Sequence, residues 1–414
     1  MPRVVITGVG VVSPVGIGTQ DFWKALKNGE NGVVRVTKFD PSPFKSQIAG
    51  EVKGFEPSKR LDIKEIRRND LFTLYALYTT DEAIEASALD LESLDMDRVG
   101  VIYASGIGGE NTWEDEHTKL LEKGPGRVSP FFIPALIINM AAGMIAMKFG
   151  FRGVNYGVVS ACSSSGHAIG EAFRKVRSGE MDIVIAGGSE APIGPLALAG
   201  FCAARSLSTR NDEPEKASRP FDKNRDGFVM SEGSGTLILE NLEHATKRGA
   251  PIFGEIVGYG ASVDAFHITA PNETGEPQAM AMKRAMEDGN IKEEEVDYIN
   301  AHGTSTILND KVETLVIKKV FGDRAYEINI SSSKSMTGHL LGATSAVEAI
   351  ACILSLQEGI ITPTTNYETP DEECDLNYTP NKAVKKNINV ALSNSFGFGG
   401  HNVTLAFKKY EDSK

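Results

Sequence analysis

An α/β architecture built on buried, largely parallel sheets is what the sequence predicts, and three observations carry that expectation. Short β-branched runs alternate with helical stretches along almost all of the 414 residues, which is how strands joined by crossover helices read. The 42 glycines collect at the ends of those runs, where strand-to-helix turns need them. Hydrophobic residues form 41% of the chain and charged residues 24%, enough for a large core and without a low-complexity tract.

The first strand is Val4–Gly8, close behind Met1. Val99–Ala104, Ile183–Ala186 and Thr236–Leu239 follow as compact apolar runs bounded by turn residues, with a helical pattern over Ala168–Arg177. The best seam is Lys247–Pro251, which divides the chain into residues 1–250 and residues 251–414. Beyond it the strands Gly254–Gly258, Tyr298–Ala301 and Ile328–Ser331 alternate with the helical stretches Pro277–Glu287, Asp310–Val320 and Ala343–Leu356. Val390–Leu392, a glycine-rich turn and Val403–Phe407 read as a closing hairpin. The apolar stretch Phe131–Met147 contains Pro134 and Asn139 and is short for a bilayer, so a buried helix is expected there.

Composition and charge exclude several function classes. No basic segment followed by an apolar stretch opens the chain, so no signal peptide is expected. Cys162, Cys202, Cys352 and Cys374 are far apart and show no CxxC spacing, which points to reduced thiols in a cytoplasmic setting and to neither a disulfide frame nor a metal site. A net charge of −12 disfavours nucleic acid as a partner, and an acidic partner would need a local basic patch.

The strongest chemical signal is Val158-Val159-Ser160-Ala161-Cys162-Ser163-Ser164-Ser165-Gly166, a strand-like run that ends in small residues and feeds a helix. There the helix dipole and unpaired N–H groups favour the thiolate, and the small neighbours leave room for an acyl group. A buried structural cysteine is the other reading of the same residues. His302 opens His302-Gly303-Thr304-Ser305-Thr306 after a strand, and His339 ends Lys334-Ser335-Met336-Thr337-Gly338-His339 before a helix. Such junctions gather ligands in α/β sheets and keep an imidazole neutral, although either histidine alone could be a core residue. In Asn394-Ser395-Phe396-Gly397-Phe398-Gly399-Gly400 the glycines let a backbone N–H point inward as an oxyanion hole requires; an ordinary glycine-rich hairpin reads the same way.

Three further motifs are set aside. Gly8-Val9-Gly10 begins like a dinucleotide fingerprint, but Ser13 and Pro14 spoil its continuation. Asp222-Lys223-Asn224-Arg225-Asp226-Gly227 begins like a calcium loop, yet its twelfth position is Gly233 and a strand follows. His167 and His401 read as structural.

Together these motifs resemble the β-ketoacyl-acyl-carrier-protein synthase family, closest to its type II elongating branch. The resemblance covers almost the whole chain: ITGVGVVSPVG, SACSSSGHAIG, LSTRND, RPFDKNRDGFVMSEGSG, NAHGTST, KSMTGHLLGA and SNSFGFGGHN occur in the family's order. It implies a thiolase-like fold of two pseudo-duplicated halves in five layers, α/β/α/β/α, and a homodimer. It also implies a decarboxylative condensation of malonyl-carrier protein with an acyl chain held on Cys162, elongating fatty acids by two carbons.

The resemblance implies the site residues too. His302 and His339 would stabilise the enolate, Lys334 would supply positive charge, and the N–H groups of Cys162 and Phe398 would form the oxyanion hole. Glu313 would belong to a buried polar network. Thr304 and Thr306 would hold the pantetheine arm, and Ile107, Phe201, Phe396 and Phe398 would line the acyl path, with Phe398 as a gate. No cofactor or metal is implied, because the substrates arrive on the phosphopantetheine of acyl carrier protein and decarboxylation supplies the driving force. No membrane partner is implied either. Carrier docking falls on Lys59–Arg68, where Arg60, Lys64, Arg67 and Arg68 share a helical face, and on Arg205; a plain solvated face is the alternative for that stretch. Ile307-Leu308 departs from the family, which often has proline first, at the rim of the pantetheine tunnel. A polyketide-type ketosynthase and a non-catalytic chain-length subunit are the rival readings, and Cys162 speaks against the second.

Overall fold

Ten strands and six helices position everything that follows, in a computed structural model that describes residues 2–411. The strands are β1 (Val4–Ser13), β2 (Val99–Ala104), β3 (Asn155–Val158), β4 (Ile183–Glu190), β5 (Gly233–Asn241), β6 (Gly254–Val263), β7 (Tyr298–Asn300), β8 (Asn329–Ser331), β9 (Val390–Gly397) and β10 (His401–Lys408). The helices are α1 (Leu71–Ser87), α2 (Met140–Phe149), α3 (Ser164–Arg177), α4 (Glu276–Asp288), α5 (Ile307–Phe321) and α6 (Thr344–Glu358).

Strand order reveals the duplication that no sequence repeat discloses. The N-terminal sheet runs β3-β2-β4-β5-β1 and the C-terminal sheet β8-β7-β9-β10-β6. In both, the first three strands are parallel and the last two antiparallel. The sheets join at one corner, where Val4–Ile6 of β1 pairs with Gly254–Ile256 of β6. The fold is thiolase-like, with five layers: α1 and α2 cover the N-terminal sheet, α4 and α5 the C-terminal sheet, and α3 and α6 lie between the two sheets.

Burial follows from that stacking. In α6 the run from Thr344 to Leu356 is buried throughout, as a helix between two sheets must be, and its sequence is apolar or small on every side. The single charge in that run, Glu348, is therefore conspicuous. All eight residues of β4 are buried, as both faces of such a sheet require. Gly8 and Gly10, set aside above, face α1; a Cβ on either would collide with the carbonyls of Ala83 or Thr79, so they permit close strand–helix packing.

The stretch Phe131–Met147 requires a correction. Instead of one buried helix it forms Phe132–Leu136 and then α2, broken at Ile137–Asn139. Ile133 is 56% exposed and Met147 65%. Two elements had no clear sequence signal. Helix α1 is apolar on nearly every face, so it lacks a helical stripe, and β3 is a four-residue edge strand whose exposed Asn155 and Tyr156 break the apolar pattern.

Candidate active site

The carboxyl ends of β2, β3, β7 and β8 meet the β9–β10 hairpin where the halves join, as ligand sites of α/β sheets do. Together they line a cavity of about 420 Å³. Of the residues singled out in the sequence, Ile107, Cys162, Phe201, Arg205, His302, Thr304, Thr306, His339, Phe396 and Phe398 all line it.

Cys162 occupies a single 3-10 turn, Ala161–Ser163, between β3 and α3. Ala161 takes φ 52°, the left-handed conformation that costs a residue with a Cβ free energy, so the corner is held by its surroundings. Ser395 Oγ donates to the Cys162 carbonyl at 2.9 Å and Ser345 Oγ at 3.3 Å. The end of β9 lies against this corner, where a Cβ on Gly397 would meet Ser160 O at 2.9 Å and Cys162 N at 3.1 Å. Burial pushes the Cys162 thiol up to about 11, against the pull of the Phe398 N–H, the Lys334 ammonium and its own N–H. Desolvation therefore works against the thiolate that the helix N-terminus favours, and outweighs the hydrogen bonds and the lysine charge that support it.

His302 and His339 stand edge to face with ring centroids 5.6 Å apart. His339 Nδ1 accepts the Leu341 N–H at 3.2 Å and lies 2.9 Å from Thr344 Oγ1. A lone pair is needed there, which assigns the proton of the neutral ring to Nε2. Burial first and Lys334 second hold His339 well below the ordinary imidazole range; the same causes and His339 itself do so for His302. Both rings are therefore neutral hydrogen-bond donors. Among the described residues His302 Nδ1 has no hydrogen-bond partner.

Behind the rings lies a layer of buried charge. Lys334 Nζ donates to Glu348 Oε1 at 2.6 Å with both side chains 1% exposed. Burial pushes Glu348 up to about 6 although Lys334 opposes it. Glu313, on α5, accepts the N–H groups of His302 at 2.8 Å and Gly303 at 2.7 Å, and Asn394 Nδ2 at 3.2 Å. Burial pushes that carboxyl up to about 7.

At the mouth, the hydroxyls of Thr304 and Thr306 lie 2.9 Å apart. Arg225, from the loop that resembles a calcium site, donates to the carbonyls of Thr306 at 3.2 Å and Ile307 at 3.0 Å, and to Asp371 at 2.6 Å. That loop therefore clamps the threonine turn with a guanidinium. Ile307 is 60% exposed beside it. The Phe398 loop is pinned from the other side: Gly399 N–H donates to Ile268 O at 2.8 Å, Asp264 N–H to Gly400 O at 2.9 Å, and Asn402 Nδ2 to Asp264 Oδ1 at 2.7 Å.

Lys64, Arg67 and Arg68 lie outside the cavity, exposed on the helix Ile63–Arg68, and Arg68 sits over the Phe131 ring at 5.2 Å. Arg60 does not share that face. It precedes the helix and is held by Asp81 at 2.7 Å and Glu85 at 2.9 Å, which corrects its place in the basic patch.

Sequence reasoning missed Glu190, Glu348 and Asp264. Glu348 is the lone charge of an apolar helix, and Glu190 ends the strand run Ile183–Glu190 behind small residues, as His302 does behind Ala301; those signals were present.

Comparison with known proteins agrees with this geometry. Residues 1–245 match the family described as "Beta-ketoacyl synthase, N-terminal domain" and residues 253–368 its C-terminal domain. The chain is 51% identical over 409 residues to the 3-oxoacyl-[acyl-carrier-protein] synthase 2 of Synechocystis, covering 99% of this chain and 98% of that one. A crystal structure of a β-ketoacyl synthase from Burkholderia phymatum superposes with a TM-score of 0.92 at 34% identity, covering 99% of this chain and 100% of that one. A ketosynthase complex with a type II polyketide acyl-carrier protein gives the same TM-score, identity and coverage.

Proposed function

The chain belongs to the β-ketoacyl synthase family, and on that premise we propose that it elongates fatty acyl chains by decarboxylative condensation with malonyl-carrier protein. The single observation that carries the reading is the convergence on one cavity of a strained cysteine corner and two neutral imidazoles backed by a buried lysine.

The acyl thioester enters past Thr304 and Thr306 and reaches Cys162. Sulfur attacks the carbonyl, the C–S bond to the carrier breaks, the proton of the Cys162 thiol ends on the departing carrier sulfur, and the acyl group stays on Cys162. Malonyl-carrier protein then takes the same path. Its terminal C–C bond breaks, carbon dioxide departs, and the electron pair becomes an enolate whose oxygen accepts hydrogen bonds from His339 Nε2–H and His302. Because both rings are neutral donors, they stabilise that oxygen without first giving it a proton. The enolate carbon attacks the acyl-Cys162 carbonyl; the N–H groups of Cys162 and Phe398 hold the oxyanion, and collapse breaks the C–S bond, releasing the 3-oxoacyl chain on the carrier and Cys162 as a thiolate that takes up a proton from solvent. Lys334 keeps the imidazoles neutral and stabilises negative charge, while Glu313 fixes the His302 turn.

Residues 1–250 supply the nucleophile and residues 251–414 the two histidines. Ile107, Phe201 and Phe396 form the acyl path, Phe398 the gate. Acyl carrier protein is the partner, docking on Lys64, Arg67, Arg68 and Arg205. We also assign it to the cytoplasm, as a homodimer; the dimer is supported by β3, which among the described residues leaves a sheet edge unpaired, and by the exposed apolar side chains of Ile133, Met147 and Val159. Incubation with acyl-carrier protein should add one acyl mass to the protein, and Cys162→Ala should abolish both the addition and turnover. An acyl group found elsewhere, or nowhere, would sink the mechanism.

A further inference from the structure

Glu190 belongs to none of the roles above, yet its carboxylate lies between the two halves of the site. It closes β4, is fully buried, and binds four donors. Oε1 accepts Ser105 Oγ at 2.6 Å and the Ile107 N–H at 3.1 Å. Oε2 accepts the Gly106 N–H at 2.7 Å and the Gly342 N–H at 2.8 Å. One oxygen thus serves the acyl-pocket wall, and the other joins that wall to the turn that follows His339.

The local sequence is shaped around this carboxylate. A Cβ on Gly106 would lie 2.8 Å from Glu190 Oε2, and one on Gly342 2.7 Å from the same atom. Both positions need glycine for the turns to close on it. The Gly342 turn also holds Leu341, whose N–H fixes the His339 tautomer. Moving Gly342 moves Leu341, and with it the hydrogen bond that keeps the His339 proton on Nε2.

We propose that Glu190 is a positioning residue that sets the Ile107 wall and the His339 turn in register, so that chain-length selection and enolate stabilisation depend on one carboxylate. The proposal rests on the condensation reading above. Glu190→Gln keeps the shape, but an amide N–H₂ cannot accept the N–H of Ile107 on one arm or those of Gly106 and Gly342 on the other, so whichever arm it takes loses its backbone partners, while the Ser105 hydroxyl can turn to accept.

The test follows three readouts in the full-length protein: Cys162 acylation by a short acyl-carrier substrate, malonyl-carrier decarboxylation, and the chain-length profile of condensation. Glu190→Gln should lower decarboxylation about tenfold or more, shift the profile, and leave short-chain acylation near wild type. Ser105→Ala removes the hydroxyl donor to Oε1, and with it the acceptor of the Gly108 N–H at 3.0 Å, but leaves both Oε2 bonds in place, so it should shift the profile while decarboxylation stays unchanged; that pairing of outcomes also tests the proposal if Glu190→Gln does not fold. An unchanged profile in Ser105→Ala overturns the proposal, as does an equal loss of acylation and decarboxylation in Glu190→Gln. Absence of acylation in the wild-type protein would overturn the condensation reading itself, and the Glu190 role with it.

Discussion

The two halves repeat one device and fill it differently. In the N-terminal half, β3 passes through residues 159–160 into the turn Ala161–Ser163 and helix α3; in the C-terminal half, β8 passes through residues 332–340 into Leu341–Ala343 and α6. The first residue of each turn is left-handed, with φ 52° at Ala161 and 47° at Leu341. The second is Cys162 in one half and Gly342 in the other. In the first half the corner presents sulfur to the cavity, so in the proposed reaction the corner itself carries the chemistry. In the second it is packed shut against Gly106 and Glu190, and the proposed chemistry falls to the longer lead-in, which carries Lys334 and His339. A duplicated corner can therefore serve once for a nucleophile and once for positioning.

The largest effect that tests this division comes from His339. If the C-terminal lead-in acts on malonyl and not on the acyl chain, His339→Ala should lower malonyl-carrier decarboxylation by about 10²–10³-fold, as loss of an oxyanion donor does. Cys162 should still acylate at close to the wild-type rate. The two half-reactions are followed separately, by carbon dioxide release and by intact mass. An equal fall in both would mean that the corners do not divide the labour.

How much of this was legible beforehand depended on the kind of signal each half emits. Cys162, His302 and His339 stand at abrupt changes from apolar strand to small residues, and such punctuation survives in a single sequence. The duplication left no trace there, because a sheet order and a left-handed corner constrain backbone and not side-chain identity: Ala161 and Leu341 perform the same turn. The push of burial on Cys162 left no trace in the sequence for a related reason. A helix N-terminus is visible in sequence, whereas the desolvation that overrides it belongs to the folded cavity. Arg60 shows the same limit, since its partners Asp81 and Glu85 come from α1, beyond the helix that carries the patch.

Lys334 reaches both corners from the C-terminal lead-in, so Lys334→Ala sharpens the comparison through pH. Its charge depresses the Cys162 thiol and both imidazoles. Removing it raises all three. At fixed pH near 8 the thiolate fraction falls about tenfold for each unit of upward shift, and alkylation of Cys162 slows accordingly. The imidazoles become cationic at higher pH than before, so the acid limb of the decarboxylation profile moves upward. Glu348, left without its partner, takes up a proton; breaking such a buried pair costs about 3–5 kcal/mol, which a lowered Tm would report. Alkylation unchanged while decarboxylation falls would confine Lys334 to the C-terminal corner.

The smallest expected effect lies outside both corners and asks whether they share one entrance. In the proposed reaction the acyl chain bound for Cys162 and the malonyl unit bound for His302 and His339 arrive on the same kind of acidic carrier and pass the same threonine-lined mouth. Reversal of the exposed pair, Arg67→Glu with Arg68→Glu, should therefore raise apparent KM for acyl-carrier and malonyl-carrier substrates together. Reaction with short acyl-CoA, which presents no carrier surface, should be spared. The effect should shrink as salt rises, since exposed charges are screened over a Debye length of about 8 Å at 0.15 M. Arg60→Ala is the control: its charge is already neutralised by Asp81 and Glu85, so it should lower Tm without raising KM. A rise for one carrier substrate alone would mean that each half recruits its own carrier, and the shared entrance would have to be abandoned.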